Sequence, residues 1–399
     1  MEPKKISLIT QILSTLEEWR PKILEDLTWL VSQDRGSEDK ESVDAGIQWM
    51  AAKLSSIGCQ VTIYTDEKFG ASVSGSLHSD GAGRILLIAH MDTVWPKGTV
   101  ARWPLTIHGQ IANGPGVVDN GAGSLAGYYA LRVLKHLGYS DFDEITFVNN
   151  GDEELGSPFG RQVFFKQAEG KNAAFSLESP SNSDEFISER AGICTYRLSV
   201  KGKPAHTGVD PEVGANAVLE MAHKLIAMHQ VSGEDNILKV NATRVNGGGI
   251  PVCVADNAWA EIDVRFKDRA EAALIERSFR EIADQTFVRG TSASLEGGVE
   301  HFPMQRLPKS QELVTSAIEV GNVLGMVLKD VFCGGSSDAS FTASAGVPSL
   351  CGLGPFGRLY HTREEYLDLS TLIPRMALVA GVIVAQTGEK GLTEDEANG

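Results

Sequence analysis

The sequence predicts an α/β protein of two domains, the second inserted into the first. Three observations carry this reading. At 399 residues the chain exceeds what one small core organises. Its first third alternates short apolar runs with helical repeats, the signature of strands alternating with helices. Near Glu189 the style changes to β-α-β-β-α-β, and after about residue 302 the α/β style returns. The expected division is therefore 1–189 with 303–399 as one domain and 190–302 as an inserted α+β domain of ferredoxin-like order.

In chain order, residues 38–57 predict a helix, with Gly58 placed to end it. Residues 61–64 and 85–89 predict strands. Ser124, Leu125, Tyr128, Leu131 and Leu134 repeat at helical spacing, and Gly138 closes that helix. Residues 145–149 and 174–177 are further buried strands. The inserted segment predicts strand 194–200, helix 211–228, strands 237–244 and 258–266, helix 269–286 and strand 292–296. Helices follow at 311–324 and 369–387.

A formal charge of −16 disfavours nucleic acid, whose phosphates such a surface repels. Small anionic substrates stay possible, because a local arginine outweighs a distant field at ordinary salt. The N-terminus carries recurrent charges and no uninterrupted apolar run, so it predicts no leader peptide. No stretch reads as apolar enough to span a bilayer. The cysteines (Cys59, Cys194, Cys253, Cys333, Cys351) are odd in number and lack CxxC spacing. That predicts a reducing, cytoplasmic setting and no thiolate metal site.

Four short segments hold most of the chemistry. In Leu87-Ile-Ala-His90-Met-Asp92 an apolar strand delivers a histidine and an aspartate two residues apart, on the same side of the pleat. A carboxylate there can orient an imidazole that ligates a metal; a core histidine beside a helix-capping aspartate fits equally. In Gly114-Pro-Gly-Val-Val-Asp119-Asn-Gly-Ala-Gly123 glycines bracket one carboxylate, as a functional turn or as a helix cap. In Asp152-Glu153-Glu154-Leu-Gly-Ser157 three consecutive acids follow a buried strand and would repel one another unless a cation lies among them. A solvated acidic loop is the competing reading, but the end of an apolar strand is where open α/β sheets place ligands. The fourth is His361, near the start of a C-terminal helix. Glu178 ends another apolar strand. Two histidines and several carboxylates without thiols suit zinc or a similar divalent ion, and an odd shared aspartate suits a metal pair.

The order HMDTV, GPGVVD, DEELGS, GVDPEVGANAV, IDVRF, GGSSDASF and HTREEYLDLS resembles the co-catalytic zinc exopeptidases. That family includes folate-cleaving glutamate carboxypeptidase, acetylornithine deacetylase, succinyl-diaminopimelate desuccinylase and aminoacylase, and the likeness is nearest to the glutamate carboxypeptidase branch. The resemblance implies a zinc-peptidase catalytic domain, a mixed sheet between helices, with an inserted dimerisation or lid domain. It implies two Zn²⁺ ions, replaceable by Co²⁺ or Mn²⁺: His90 and Glu178 hold one, Glu154 and His361 the other, and Asp119 bridges them, its bond to Asn120 cis. Asp92 orients His90, and Glu153 is the general base.

From the inserted domain the resemblance implies that His206 stabilises an oxyanion across a homodimer and that Arg265 grips a substrate carboxylate. A strand-face salt bridge is the alternative for Arg265. Gly334, Gly335, Ser336 and Asp338 resemble a glycine-rich turn lining the substrate cleft. The implied substrate is a small peptide or N-acyl amino acid, and the implied reaction is release of a C-terminal amino acid, with N-acyl deacylation as the alternative. One departure stands out. Where the family shows Asn before its Ile-Pro-flanked stretch, Val252 occupies the position, with Asn246 and Asn257 as candidate replacements.

Overall fold

The computed structural model describes residues 1–232 and 238–388. It divides into two compact units: Met1–Glu189 with Arg306–Cys333 and Ser337 onward, and Arg190–Gln305 with Gly334–Ser336.

The first unit opens with three helices, α1 (Pro3–Glu18), α2 (Arg20–Val31) and α3 (Lys40–Ser56). Its main sheet holds β1 (Gln60–Tyr64), β2 (Ser72–His78), β3 (Arg84–His90), β6 (Glu144–Asn150), β7 (Ala173–Ser176) and β14 (Ser349–Leu350) in the order β1-β2-β6-β3-β7-β14. β2 runs antiparallel to β1 and β6, whereas β6, β3, β7 and β14 are mutually parallel. The parallel strands read as near-continuous apolar runs because both faces are covered, and every residue of β6 is buried.

Helix α5 (Ala122–His136) packs on β3, and α6 (Gly160–Ala168) on β6. Helices α9 (Ser310–Val323), α10 (Ala339–Ser344) and α11 (Leu369–Gln386) complete the unit, with the short α4 (Thr99–Arg102). A small sheet joins β15 (Gly357–Arg358), β16 (Tyr366–Asp368), β5 (Ile111–Asn113) and β4 (Thr106–His108), and β8 (Glu185–Arg190) pairs with β13 (Lys329–Cys333). The core runs through Leu87, Leu125, Phe147, Phe175 and Val379.

Helix α11 corrects one expectation. By length and composition it could cross a membrane, contrary to the sequence reading, and 72% of its apolar window is buried within the protein. Its apolarity comes from packing against α1, α5 and α9 on several sides.

The second unit is a four-stranded antiparallel sheet, β10 (Lys239–Gly247), β11 (Asn257–Phe266), β9 (Gly192–Lys201) and β12 (Ser292–His301), in that order, with helices α7 (Ala217–His229) and α8 (Arg269–Asp284). This is the split β-α-β-β-α-β order. Strict alternation along β11 buries Ala258, Ala260, Ile262, Val264 and Phe266 and turns Asp263 and Arg265 to the other face. Helix α7 starts at Ala217 rather than 211: Pro211–Val213 is a separate 3₁₀ turn, and the Asn216 side chain caps α7 by accepting from Val218 and Leu219 N–H. The expected start of β10 at Ile237 lies outside the described residues.

One buried ion cluster in the first unit makes a stability prediction. Glu144 accepts from Arg84 (2.5 Å), Lys171 (2.8 Å) and Thr146 (3.0 Å). Burial alone would raise its carboxyl, but Lys171 and Arg84 prevail and lower it to about 2. A depressed carboxylate stabilises the fold above its unfolded value of about 4.3, and that stability is lost as pH falls towards 2. Glu144→Gln is expected to cost about 3 kcal/mol at neutral pH, because it strands the buried Lys171. The deficit should shrink below pH 4. Urea unfolding at pH 7 and pH 3 checks this, and a deficit unchanged by pH would refute it.

Candidate metal centre

Three adjacent parallel strands end at one edge of the main sheet. His90 is the last residue of β3 and pairs with Asn150, the last of β6. Asp152, Glu153 and Glu154 follow β6, and Glu178 follows β7, whose pairing with β3 continues through Leu177 N–H to Ile88 O at 2.9 Å. Asp119 comes from the turn before α5. There the peptide bond to Asn120 is cis. His361 comes from a turn ahead of β16 at φ 60°, not from the start of α11 as expected; that helix begins only at Leu369, where Asp368 caps it.

These side chains converge. His90 Nε2 lies 3.0 Å from Asp119 Oδ1 and 3.5 Å from Glu178 Oε1. His361 Nε2 lies 3.2 Å from Asp119 Oδ2 and 3.2 Å from Glu154 Oε2. One aspartate thus offers a separate oxygen to each imidazole. Ligand atoms of His90, Asp119 and Glu154 all lie within 4.8 Å of one another. His90 Nδ1 faces Asp92, 3.1 Å from its carbonyl and 3.4 Å from Oδ1, which leaves Nε2 for the cluster. Asp92 is itself fixed by Ser37 Oγ (2.7 Å) and by the N–H groups of Glu153 and Glu154 (3.1 Å each).

The electrostatics match a cation site. Burial pulls the His90 imidazole down, but Glu178, Asp119 and Asp92 hold it well above its ordinary value. Hydrogen bonds to Asp119 and Glu154 push His361 up to about 10. Burial works to raise Asp119, yet His361 and His90 keep it below the usual carboxylate range. Burial raises Glu153 well above its ordinary value, with Asp338, Glu178 and Glu154 adding and His90 opposing. The carboxylates around both imidazoles favour positive charge at this point, which is what a bound cation would supply. Glu154 Oε1 is buried with no hydrogen-bond partner, an orphaned acceptor that a bound cation would satisfy. The donor set is oxygen and nitrogen only, so these residues fit zinc-like divalent ions.

The sequence reading gave no role to Glu365, and it placed Asp338 in a cleft-lining turn and Gly123 in the turn around Asp119. Glu365 accepts from the N–H groups of Gly116, Val118 and Asp119 at 3.0–3.2 Å. Asp338 accepts from Ser157 Oγ and from Asn150 Nδ2 (3.1 Å), and burial pushes it up to about 7. Gly123 must lack a side chain: a Cβ there would stand 2.2 Å from the Leu177 carbonyl. A cavity of about 510 Å³ adjoins the cluster, lined by Ser37, Glu38, Val94, Trp95, Lys97 and Glu154 among others.

In the second unit, His206 is exposed on a loop bridged to Cys253. Its Nδ1 accepts from Gly208 N–H at 3.1 Å, so Nε2 carries the proton and points no lone pair outward. Val252, 58% exposed, accepts from Thr207 N–H at 3.1 Å through its carbonyl, next to His206. Of the candidate substitutes, Asn257 is engaged by Asp256 and Asn246 lies on the edge strand β10. Arg265 forms a two-pronged bond with Asp263, 2.9 Å on each arm, which is the strand-face pairing. The Gly335 and Ser336 carbonyls accept from Arg190 at 3.0 and 3.4 Å.

A sheet edge carrying histidines and carboxylates around one shared aspartate defines a metal-dependent hydrolase of the dinuclear class. The chain belongs to Peptidase family M20/M25/M40, whose family model matches residues 86–385. Carboxypeptidase G2 of Pseudomonas sp. (strain RS-16) is 29% identical over 385 residues, covering 92% of this chain and 89% of that one. Among solved structures, a tripeptidase from Staphylococcus aureus matches with a TM-score of 0.79 at 21% identity, covering 92% of this chain and 99% of its own. The family M20 metallo-carboxypeptidase Sso-CP2 from Sulfolobus solfataricus matches with a TM-score of 0.73 at 14% identity, covering 91% and 98%. The fold is that of the M20 peptidases, and the protein is a hydrolytic enzyme.

Proposed function

We propose that the enzyme releases a C-terminal amino acid from a small peptide or N-acyl amino acid, as a carboxypeptidase of the glutamate type. The observation that carries this is the pair of imidazole Nε2 atoms held by separate oxygens of Asp119. His90 and Glu178 would hold one Zn²⁺, Glu154 and His361 the other, with Asp119 shared. Bound there, the ions would supply Lewis acidity to the scissile carbonyl and make water acidic enough to attack near neutral pH. Asp92 fixes the His90 tautomer. Glu153 takes the proton of the attacking water as the C–O bond forms, and then delivers it to the departing amine as the C–N bond breaks and the carbonyl is restored.

His206 donates from Nε2 to the developing oxyanion, and Arg265 binds the substrate carboxylate, with Asp263 keeping its fork oriented until substrate arrives. Gly335 and Ser336 line the substrate cleft. Val252 in place of a polar residue favours, as second reading, an N-acyl-amino-acid deacylase whose acyl group is apolar.

The test is amino-acid release from a panel of dipeptides and N-acyl amino acids, with zinc and after chelation. Zinc-dependent release with preference for one C-terminal residue supports the carboxypeptidase. Preference set only by the acyl group supports the deacylase. No release from protein loaded with two zincs would sink both.

The second unit is proposed as a homodimer interface. Its edge strand β10 and the outer face of α7 are exposed, and that face shows Val218, Leu219, Ala222 and Ile226 rather than charges. Ile226, 61% exposed, is the most exposed of the large side chains among them. Ile226→Glu should weaken self-association at least about tenfold, read by light scattering across protein concentration. A monomeric wild type at tens of micromolar would end this proposal. A cytoplasmic setting is also proposed; no disulfide joins any of the described cysteines.

A further inference from the structure

Arg35 is a cation with 1% exposure, placed in the loop between α2 and α3. Among the described residues it makes no salt bridge, and its Nε has no partner. Its guanidinium instead spans two carbonyls. Nη1 donates to Met91 O at 2.7 Å and Nη2 to Gly116 O at 3.2 Å. Met91 lies between His90 and Asp92, and Gly116 opens the turn that carries Asp119. The Arg35 backbone joins the same seam, its carbonyl accepting from Thr93 N–H at 2.8 Å.

A buried charge that forms no ion pair is expensive even with the carboxylates of Glu365, Asp92 and Asp119 near enough to favour it, and an apolar side chain of similar size would fill the space at less cost. What such a side chain could not do is tie the two loops together. The turn leaves little slack for another solution. Gly116 sits at φ 66°, and a Cβ on it would come within 2.4 Å of Thr93 Cγ2 and 3.0 Å of Arg35 Nη2. Glu365 holds the N–H groups of this turn while Arg35 holds its carbonyl, so the turn is gripped from both polar ends.

We propose that Arg35 is a positioning residue that fixes the end of β3 against the Gly116–Asp119 turn, setting His90 and Asp119 at the spacing at which they share a metal ion. This rests on the metal-centre reading above. Geometry and charge make opposite demands. Removing a buried cation close to the site should, through charge alone, tighten binding of a divalent ion. Releasing the two loops should weaken it, as loss of a supporting partner commonly does by about 10–100-fold.

The test is zinc affinity of the full-length apoprotein, measured by competition with a chromophoric chelator. Wild type, Arg35→Met and Arg35→Lys are compared, with circular dichroism to show that each is folded. The expected result is binding about 10–100-fold weaker in Arg35→Met. Arg35→Lys should fall between, because lysine keeps the charge but lacks the planar fork that reaches both carbonyls. Should the Met variant fail to fold, the Lys variant decides, since any weakening there is geometric. Unchanged or tighter zinc binding in the folded variants would overturn the proposal. Failure of wild type itself to take up zinc would instead overturn the metal-centre reading.

Discussion

Glu153→Gln is expected to lower kcat about 10³-fold while KM stays within about threefold and metal content is unchanged. Glutamine keeps the shape of the side chain and the backbone bond from Glu153 N–H to Asp92 Oδ1. What it lacks is the ability to accept and return a proton. The environment argues that proton exchange is the purpose of this carboxylate. Burial, Asp338, Glu178 and Glu154 all favour its protonated form, with His90 opposing, so its proton affinity is raised above that of an ordinary carboxylate. A carboxylate with raised proton affinity is better able to take a proton from water and hold it until the amine departs. Steady-state kinetics on the preferred substrate, with metal analysis of the same preparation, separates the possibilities. A variant that keeps wild-type kcat would show that another group carries the proton. A variant that loses metal would make Glu153 a ligand instead.

Much of this centre was legible in the sequence for a physical reason. Continuous apolar runs announce strands buried on both faces, and acids placed directly after such runs cannot belong to the core. Glu153, Glu154 and Glu178 follow that rule, His90 ends such a run, and the structure brings them to one sheet edge. The supporting residues follow no such rule. Arg35 stands in a polar loop, Gln33–Glu38, with nothing in its neighbours to say that it is buried. Ser37 is equally plain. Strand β2 is another silent element: Ser-Val-Ser-Gly-Ser-Leu-His shows no apolar run, yet Ser72 and Ser74 are buried because their hydroxyls and those of their neighbours find partners such as Asn150 and Tyr64. Gly75 is required by the Leu54 side chain, which a Cβ would meet at 2.9 Å. At the N-terminus, Ile9, Ile12 and Leu16 are fully buried at helical spacing, with the uncharged polar residues Thr10, Gln11, Ser14 and Thr15 between them.

Asp119→Asn is expected to reduce the metal content from two ions to at most one, and to abolish most activity, by a route unlike that of Glu153→Gln. The aspartate serves two imidazoles with two oxygens, 3.0 Å and 3.2 Å away. Asparagine has one oxygen and turns an N–H₂ donor towards the other ring, so one half of the cluster faces a donor where it needs an acceptor. The charge changes as well. Asp119 is held ionised against the pull of burial by His361 and His90, and removing its charge leaves each metal position with one carboxylate fewer. A single loss of shape would leave stoichiometry intact and slow turnover; loss of one shared anion should instead appear in the stoichiometry itself. Metal analysis after exhaustive dialysis, alongside kinetics, distinguishes the two. Two tightly held ions in Asp119→Asn would mean that the ions do not share this residue. With both outcomes as expected, the contrast between the variants would assign proton handling to Glu153 and the joining of the two halves of the centre to Asp119.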